Sequence, residues 1–282
     1  MSKLLIFGHG YTTKNLTKII TEDFSEIFVT SREPRKINDK FVSHVIKYEE
    51  SGEFLISKKN DLTHILCSIP PDTKGDPVYE RFKNDIGNLS SLKWMGYLSA
   101  TSVYGDHDGE FVDENSELKA NTNRGLNRIL AEKQWDEFCK NHKIILKIFR
   151  IAGIYGKGRN IYERIKKGEY KLILKDKQYF SRIHIDDLIR CLKESFKRID
   201  QSEIFNLADD TPSNIQDVVE YICKKKNIKL PDTINYEQLE NEMTKSFYND
   251  NKKVLNKEIK QKLNLKLKYP SFKEGYDQII DK

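Results

Sequence analysis

Near its start the sequence reads Leu4-Leu5-Ile6-Phe7-Gly8-His9-Gly10-Tyr11-Thr12-Thr13-Lys14-Asn15-Leu16. Its four apolar residues predict a short buried strand, and the spacing of Leu16, Ile19 and Ile20 predicts a helix after the glycines. A Gly-x-Gly turn between a strand and a helix is typical of dinucleotide-binding units, which hold the pyrophosphate at the helix N-terminus. A turn that binds nothing is the alternative interpretation.

The turn departs from the dinucleotide fingerprint Gly-x-Gly-x-x-Gly at one position, because Thr13 takes the place of the third glycine. The two glycines that remain allow the tight turn and the close approach of the backbone to a pyrophosphate. The sequence therefore predicts that the cofactor contacts the turn and the first residues of the helix, namely Gly8, Gly10, Tyr11, Thr12 and Thr13.

The residue that contacts the adenosine ribose is expected about twenty positions after the glycines, at the end of the second strand. An apolar run at 27–30 ends there in Ser31 and Arg32. An acidic residue would accept a hydrogen bond from the 2′-hydroxyl of NAD(H), whereas a hydroxyl and a guanidinium suit a 2′-phosphate. With Arg35 and Lys36 adding positive charge, the sequence favours NADP(H). NAD(H) stays an alternative, as does an ordinary solvated Arg32.

The composition indicates a folded, cytoplasmic chain. Of its 282 residues, 38% are hydrophobic and 11% are aromatic, which argues against disorder. No apolar run approaches the roughly 20 residues that span a bilayer, and no signal-peptide pattern is present. The four cysteines form no Cys-x-x-Cys pair, which is typical of free thiols in a reducing compartment. We expect no membrane partner and no metal.

The net charge of +6 raises the possibility of nucleic-acid binding. However, the lysines are interleaved with 43 acidic residues, and the densest basic segment, 252–268, contains no aromatic residue on which a base could stack. We therefore expect a small-molecule ligand and no nucleic-acid partner.

The order of elements predicts an α/β fold with a doubly wound parallel sheet of the Rossmann type. Further strands are predicted at 41–48, 62–69, 94–99 and 144–149, with helices at 78–92 and 124–141. The strand at 62–69 ends at two prolines, so Ser68, Ile69 and Pro70 are expected at the ligand-binding edge of the sheet. After residue 150 the pattern becomes irregular, with short strands at 172–174, 180–185 and 204–207.

This pattern divides the chain into two domains. We assign residues 1–155 and about 180–208 to a dinucleotide-binding domain. A smaller, mixed C-terminal substrate lobe takes about 156–179 and 209–282. The sequence does not decide between a monomer and a homodimer.

Several motifs occur in the order found in one known family. They are Leu98-Ser99-Ala100-Thr101-Ser102-Val103-Tyr104-Gly105 and the segments 149–159, 180–187 and 205–208. On these motifs the chain resembles, nearly end to end, the extended short-chain dehydrogenase/reductases, also called the NAD-dependent epimerase/dehydratase group. More narrowly, it resembles an atypical branch that lacks the Tyr-x-x-x-Lys pair. The resemblance implies hydride transfer or isomerisation on a sugar-like or nucleotide-linked substrate, with Ala152 and Gly153 beside the cofactor.

The catalytic positions of that family are changed in this chain. Alignment on Ala131-Glu132 places Arg124 where the family has its acid/base tyrosine and Arg128 where it has its lysine. Ala100, next to Thr101, takes the place of the hydroxyl residue that polarises the substrate oxygen. Arginine stays protonated, so Arg124 cannot act as a general acid or base. Arg128 could still hold the ribose or a phosphate.

Other residues could take part in a rerouted reaction. Tyr104 is the candidate for a substitute acid, although a packed tyrosine is the favoured interpretation. Four cations lie in segments that the family places near its substrate, and together they favour an anionic ligand. These four are Arg150, Lys157, Arg159 and Arg182. The alternative is that Arg150 and Arg182 only pair with acids such as Asp186.

Two functions follow from these expectations. The first is an NADP(H)-binding oxidoreductase or isomerase with altered catalytic residues. The second is a non-catalytic protein that uses the same fold to sense NADP(H) or to bind a partner.

Overall fold

The computed structural model describes residues 2–281, apart from the side chain of Met243. The chain divides into two compact units. The first contains Met1–Ala100, Asn123–Arg150 and Leu188–Phe205, and the second contains Thr101–Thr122, Ile151–Asp187 and Asn206–Lys282.

The unit boundaries differ from the predicted domain boundaries. Segment 101–122 packs in the second unit, as do residues 151–155, 180–187 and 206–208, all of which we had assigned to the first domain. The reason is strand pairing between distant parts of the chain. Phe111–Val112 pairs with Lys253–Val254, and Gly153–Tyr155 pairs with Arg182–His184.

The described residues form short strands and helices in alternation. The strands are β1 (Lys3–Phe7), β2 (Glu26–Ser31), β3 (His44–Lys47), β4 (His64–Cys67), β5 (Trp94–Ala100), β6 (Phe111–Val112), β7 (Ile145–Ile151), β8 (Gly153–Tyr155), β9 (Leu172–Leu174), β10 (Arg182–His184), β11 (Glu203–Leu207), β12 (Thr233–Asn235) and β13 (Lys253–Val254). The helices are α1 (Tyr11–Leu16), α2 (Ser51–Ser57), α3 (Pro77–Gly87), α4 (Asn123–His142), α5 (Ile161–Lys166), α6 (Ile185–Ser195), α7 (Ile215–Lys226), α8 (Glu242–Tyr248), α9 (Lys257–Lys262) and α10 (Phe272–Ile280). Within residues 2–281, none of these helices is both long and apolar enough to cross a membrane.

Seven strands form one sheet in the order β11-β7-β5-β4-β1-β2-β3. The pairs from β5 to β3 are parallel, and in them Leu5 lies opposite Phe28 of β2 and Ile65 of β4. The chain runs outward from β1 in one direction through β2 and β3, and in the other through β4 and β5. This is the order of a Rossmann sheet, so the predicted fold class is confirmed.

Helices cover both faces of this sheet. Alternate residues of a strand face opposite sides, and Leu5 and Phe7 pack into a core with residues of α2, α3 and α4, including Trp135. On the opposite face the ring of Phe196, just after α6, lies 4.8 Å from the ring of Trp94 and 5.2 Å from that of Phe24. Because both faces are buried, the central strands consist of nearly continuous apolar runs.

The second unit has its own core, formed by α5, α7, α10 and Tyr155 of β8. Its C-terminal segment is fixed by the buried carboxylate of Asp187, which accepts the backbone N–H groups of Lys268 at 2.9 Å and Tyr269 at 2.8 Å. Helix α6 begins at Ile185, so Asp186 and Asp187 both lie in its first turn.

Asp209 is an unusual buried acid of the second unit. Its side chain is almost completely buried, and its Oδ1 accepts the N–H of Thr211 at 3.2 Å. Its Oδ2 is buried and has no hydrogen-bond partner among the described residues. Burial raises the pKa of Asp209 to about 8, although the Thr211 bond and the charge of Arg182 act in the opposite direction.

Asp209 should therefore make stability depend on pH. A carboxyl whose folded-state pKa is raised contributes stability that is complete below the unfolded pKa and is lost as the pH rises through the folded value. Asp209→Asn keeps an acceptor for Thr211 and does not titrate. We expect the wild type to lose free energy of unfolding relative to Asp209→Asn between about pH 4 and pH 8, by about 1.4 kcal/mol for each unit of pKa difference.

Urea unfolding at pH 5, 7 and 8.5 measures this difference. The control is Glu242→Gln, because the Glu242 side chain is 86% exposed. Parallel pH profiles for the wild type and Asp209→Asn would show that Asp209 is ionised in the folded protein at every pH tested.

Candidate functional site

The predicted cofactor residues of the first unit lie where the strand order reverses. Gly8 follows β1 and Ser68 follows β4, and these two strands are adjacent, with Phe7 opposite Cys67. Open α/β sheets bind ligands outside the carboxyl ends of the strands at this switch point. The glycine turn and the end of β4 are therefore neighbours at the edge where a ligand is expected.

Gly8 is held in a conformation that only glycine adopts easily. Its φ is +94°, and a Cβ atom on it would lie 2.9 Å from Oγ of Ser68. The N–H of Gly8 donates to the hydroxyl of Thr30 at 3.0 Å. The Ser68 hydroxyl donates to the carbonyls of Phe7 at 3.0 Å and Gly8 at 3.2 Å. Side chains from β2 and β4 thus fix the turn from both sides.

Gly10 has a different surrounding. It precedes α1 with φ −95° and ψ −164°, and a Cβ atom on it would meet no atom within 4 Å. The first backbone bond of the helix runs from Lys14 N–H to the Gly10 carbonyl at 2.9 Å. The N–H groups of the first helical turn have no acceptor within their own helix. The space beside Gly10 and the amides that follow it therefore suit an anion.

Thr13, in the position of the third glycine, packs into the same turn. It is buried, and its hydroxyl donates to the carbonyls of Gly8 at 3.2 Å and Gly10 at 3.3 Å. The side chain therefore adds hydrogen bonds to the turn. Tyr11 and Thr12 are half-buried at the start of the helix.

The residues predicted to recognise the ribose lie at the end of β2, with Ser31 as its last residue and Arg32 directly after it. Ser31 is half-buried, and its hydroxyl accepts the N–H of Glu33 at 3.1 Å, whereas Arg32 is exposed. Arg32, Arg35 and Lys36 line one cavity of about 950 Å³, together with three glutamates. Lys36 pairs with one of them, Glu33, at 2.7 Å. In the same segment Asp39 pairs with His9, and Arg32 takes part in neither this ion pair nor the Lys36–Glu33 pair.

The other predicted cofactor residues lie after β4 in the first unit and at 152–153 in the second, where β8 begins. In the first unit Ile69 is half-buried and Pro70 is exposed, directly after Ser68. In the second unit the N–H of Ala152 donates to Leu207 at 3.0 Å, and the N–H of exposed Gly153 donates to Ser181 at 3.1 Å. These two amides are thus engaged within their own unit.

Arg124 and Arg128, which the resemblance predicts in place of a tyrosine and a lysine, lie on α4 and are half-buried. Arg128 donates from Nη1 to the carbonyl of Leu98 at 2.9 Å, which ties α4 to the end of β5. Its Nε is buried and has no hydrogen-bond partner among the described residues. Ala100, the last residue of β5, is half-buried and supplies no hydroxyl.

Tyr104 is a packed residue in this structure. Its side chain is fully buried, and its hydroxyl donates to Oδ1 of Asn206 at 2.7 Å. Thr101, three residues earlier, is half-buried. The Tyr104 hydroxyl would have to leave Asn206 and become exposed before it could protonate a substrate.

Arg150 forms a buried ion pair that the sequence analysis did not identify. The side chain of Arg150 is 4% exposed and that of Glu132 is 6% exposed, and their Nη2 and Oε2 atoms lie 2.8 Å apart. Ser99 donates to Oε1 of the same carboxylate at 2.5 Å. Removing one partner of such a pair typically costs about 3–5 kcal/mol. The predicted substrate contact of Arg150 is thus replaced by an internal partner on α4, and that partner is not Asp186.

Arg182 is also buried in its own unit. Its Nη1 donates to the carbonyls of Phe180 at 2.9 Å and Ser213 at 3.1 Å, and to the Ser213 hydroxyl at 2.8 Å. Burial lowers the pKa of the Arg182 guanidinium. Lys157 and Arg159 are exposed on a tight turn closed by two backbone bonds between residues 156 and 159. Only these two of the four predicted substrate cations reach solvent.

Glu132 could have been found in the sequence. It lies on a predicted helix, next to Ala131 and three residues before Trp135. Glu132 and these two neighbours are buried. A charged residue within the apolar stripe of a helix indicates a buried partner. Among residues 2–281, no group of three or more His, Cys, Asp or Glu side chains is arranged to hold a metal ion.

Comparison with sequence families and curated proteins found no match for this chain. Solved structures do match over nearly the whole length. UDP-N-acetylglucosamine 4-epimerase of Bacillus cereus is 15% identical, with a TM-score of 0.78 over 99% of this chain and 95% of that chain. dTDP-glucose 4,6-dehydratase of Bacillus anthracis, solved in complex with NAD, is 16% identical, with a TM-score of 0.76 over 100% and 96%. At this identity the likeness shows a shared fold.

A further structure is more similar. A conserved protein of unknown function from Silicibacter pomeroyi DSS is 35% identical, with a TM-score of 0.89 over 99% of this chain and 98% of that chain. This chain belongs to the same family as that conserved protein.

Proposed function

We propose that this protein binds NADP(H) at the glycine turn and is a variant of the epimerase/dehydratase-type short-chain dehydrogenase/reductases. The observation that carries the proposal is the turn itself, in which Gly8 is constrained by Ser68 while the space beside Gly10 is open. This open space lies next to the first amides of α1, where a pyrophosphate could approach the backbone. The fold neighbours solved with NAD support a nicotinamide dinucleotide at this turn.

The residues fit the cofactor at its two phosphate-bearing parts. The pyrophosphate would lie against the amides of residues 11–13, and Ser31 and Arg32 would hold the 2′-phosphate. Arg128 offers a buried Nε without a hydrogen-bond partner, which suits contact with the ribose or a phosphate. When bound, the nicotinamide would supply a hydride donor or acceptor.

The substrate class follows from the same proposal. The fold neighbours include enzymes solved with UDP-glucuronic acid and UDP-glucose. In this chain Lys157 and Arg159 are the exposed cations of segment 149–159, which the resemblance predicts to lie near the substrate. They would attract an anionic group such as a diphosphate. We therefore propose a sugar-like or nucleotide-linked anion as the ligand.

Cofactor preference tests the role of Arg32. A charge-assisted bond from Arg32 to the 2′-phosphate would contribute about 1.5–3 kcal/mol, which is roughly a ten- to hundredfold gain in affinity. We expect the wild type to bind NADPH more tightly than NADH by that factor, and Arg32→Ala to abolish the preference. Calorimetric titration with both dinucleotides measures this, with the exposed Arg198→Ala as the control. Equal affinities in the wild type would overturn the assignment of NADP(H).

The two glycines should separate folding from binding. Gly10→Val would place its side chain in open space at a negative φ, so we expect a normally folded protein with dinucleotide affinity reduced at least tenfold. Gly8→Ala would strain a backbone at φ +94° and crowd Ser68, so we expect it to lower the free energy of unfolding by about 1–3 kcal/mol. Urea unfolding and dinucleotide titration on both variants give the comparison. Unchanged binding in Gly10→Val would place the pyrophosphate elsewhere.

A non-catalytic sensor of NADP(H) is the second candidate function, and specific observations favour it. Tyr104 is buried against Asn206, and Ala100 has no hydroxyl. The predicted alignment on Ala131-Glu132 would also put arginines in the positions of the acid/base tyrosine and its lysine. A positioned acid/base group commonly contributes about 10²–10⁴ in rate. Without such a group the protein would still bind NADP(H), but the chemical step would be slow.

We therefore expect weak or no turnover of ordinary carbonyl substrates of the family, even with NADPH bound. NADPH absorbance followed with a substrate panel measures turnover, while titration measures binding, in the wild type and in Tyr104→Phe. Tight binding without turnover supports the sensor. Brisk turnover that Tyr104→Phe abolishes would identify an enzyme with a rerouted acid, and brisk turnover that survives this change would require another proton donor.

A further inference from the structure

His9, between the two glycines of the turn, is buried against a loop that carries the predicted phosphate-binding cations. Its side chain is 0% exposed, and its Nε2 lies 2.9 Å from Oδ2 of Asp39. Asp39 belongs to segment 32–43, which connects β2 to β3 and includes Arg32, Arg35 and Lys36. The contact joins the turn that would hold the pyrophosphate to the segment that would hold the 2′-phosphate.

The Asp39 carboxylate connects three parts of the chain. Its Oδ1 accepts the backbone N–H of Phe41 at 2.9 Å, which shapes its own segment. Its Oδ2 accepts from His9 and, at 3.4 Å, from the hydroxyl of Thr17, a fully buried residue just after α1. Donors from three parts of the first unit thus engage both oxygens of Asp39.

The histidine makes this contact at a cost to the turn. Its Nδ1 is buried and has no hydrogen-bond partner among the described residues, and such an atom typically costs about 1–3 kcal/mol. Burial lowers the pKa of His9, the Asp39 carboxylate opposes that change, and the nearby charge of Lys14 adds to it. An apolar side chain of similar size would avoid the cost. What histidine offers at this position, and an apolar side chain does not, is therefore the hydrogen bond to Asp39.

We infer that Asp39, held by His9, is a positioning residue for dinucleotide selectivity. The bond fixes segment 32–43 against the glycine turn, so that Arg32 stays at the distance from the pyrophosphate at which a 2′-phosphate lies. Charge-assisted bonds of this kind are stronger than neutral ones, and the pair is shielded from solvent on the His9 side. The inference rests on the proposed NADP(H) binding and adds the residues that set its specificity.

The experiment compares three variants that differ in this bond. Asp39→Ala removes the acceptor and His9→Leu removes the donor, whereas His9→Gln keeps an N–H near the position of Nε2. Affinities for NADPH and NADH are measured by titration. Hydrogen exchange of segment 32–43 is measured in the ligand-free protein, with the amides of β5 as the reference for intact folding.

We expect Asp39→Ala and His9→Leu to weaken NADPH binding about tenfold and NADH binding less than about threefold, because only NADPH depends on Arg32. Exchange in segment 32–43 should become faster while the β5 amides stay protected. His9→Gln should retain the wild-type selectivity ratio within about threefold. If Asp39→Ala does not fold, His9→Leu and His9→Gln give the same comparison with the Phe41 bond intact.

Four results would overturn the inference. Equal loss of affinity for both dinucleotides would mean that the bond only stabilises the turn. Loss confined to NADH in Asp39→Ala would mean that Asp39 binds the ribose hydroxyl directly. Selectivity that survives both changes would mean that segment 32–43 needs no such support. A wild type without preference for NADPH would overturn the proposed cofactor as well, whereas the other results leave it standing.

Discussion

The close approach of β4 to the glycine turn is the constraint on which the first unit depends. The Ser68 hydroxyl donates to the last carbonyl of β1 and to that of Gly8, and no Cβ fits between the two residues. Gly8 has a φ of +94° beside this contact, and α1 begins three residues later at Tyr11. Thr30 and Thr13 complete the arrangement with side-chain bonds to the same turn. The turn is thus rigid before any ligand binds, which lowers the entropic cost of holding an anion.

The fold also determines which cations are buried with internal partners and which are exposed to a ligand. Arg150 and Arg182 were predicted to lie near a substrate, yet each is buried with internal acceptors, Glu132 for the first and Ser213 with backbone carbonyls for the second. Charge in these motifs therefore stabilises each unit separately. Among the cations predicted to bind a ligand, the exposed ones are Arg32, Arg35 and Lys36 after β2 and Lys157 and Arg159 in the turn at 156–159. The proposed substrate class rests on the last two.

The sequence predicted the sheet well because its signal is local. The apolar run of β1, the two glycines and the alternation of strands with helices are each contained in short windows, and the predicted strand at 172–174 has the observed bounds. The second unit was harder to predict, because β6 and β13 are two residues long and pair across some 140 positions. The partners of Arg150 and His9 were missed for a related reason. Glu132 is eighteen residues from Arg150 and Asp39 is thirty from His9, and only the folded chain brings them together.

The central claim is that a dinucleotide lies across the glycine turn with its 2′-phosphate at Arg32. The most direct measurement is a crystal structure of the protein grown with saturating NADPH. The account predicts the pyrophosphate beside Gly10, against the amides of residues 11–13, and the 2′-phosphate within hydrogen-bond distance of Ser31 and Arg32. Electron density for the dinucleotide at any other place, or an empty glycine turn at saturating NADPH, would contradict it.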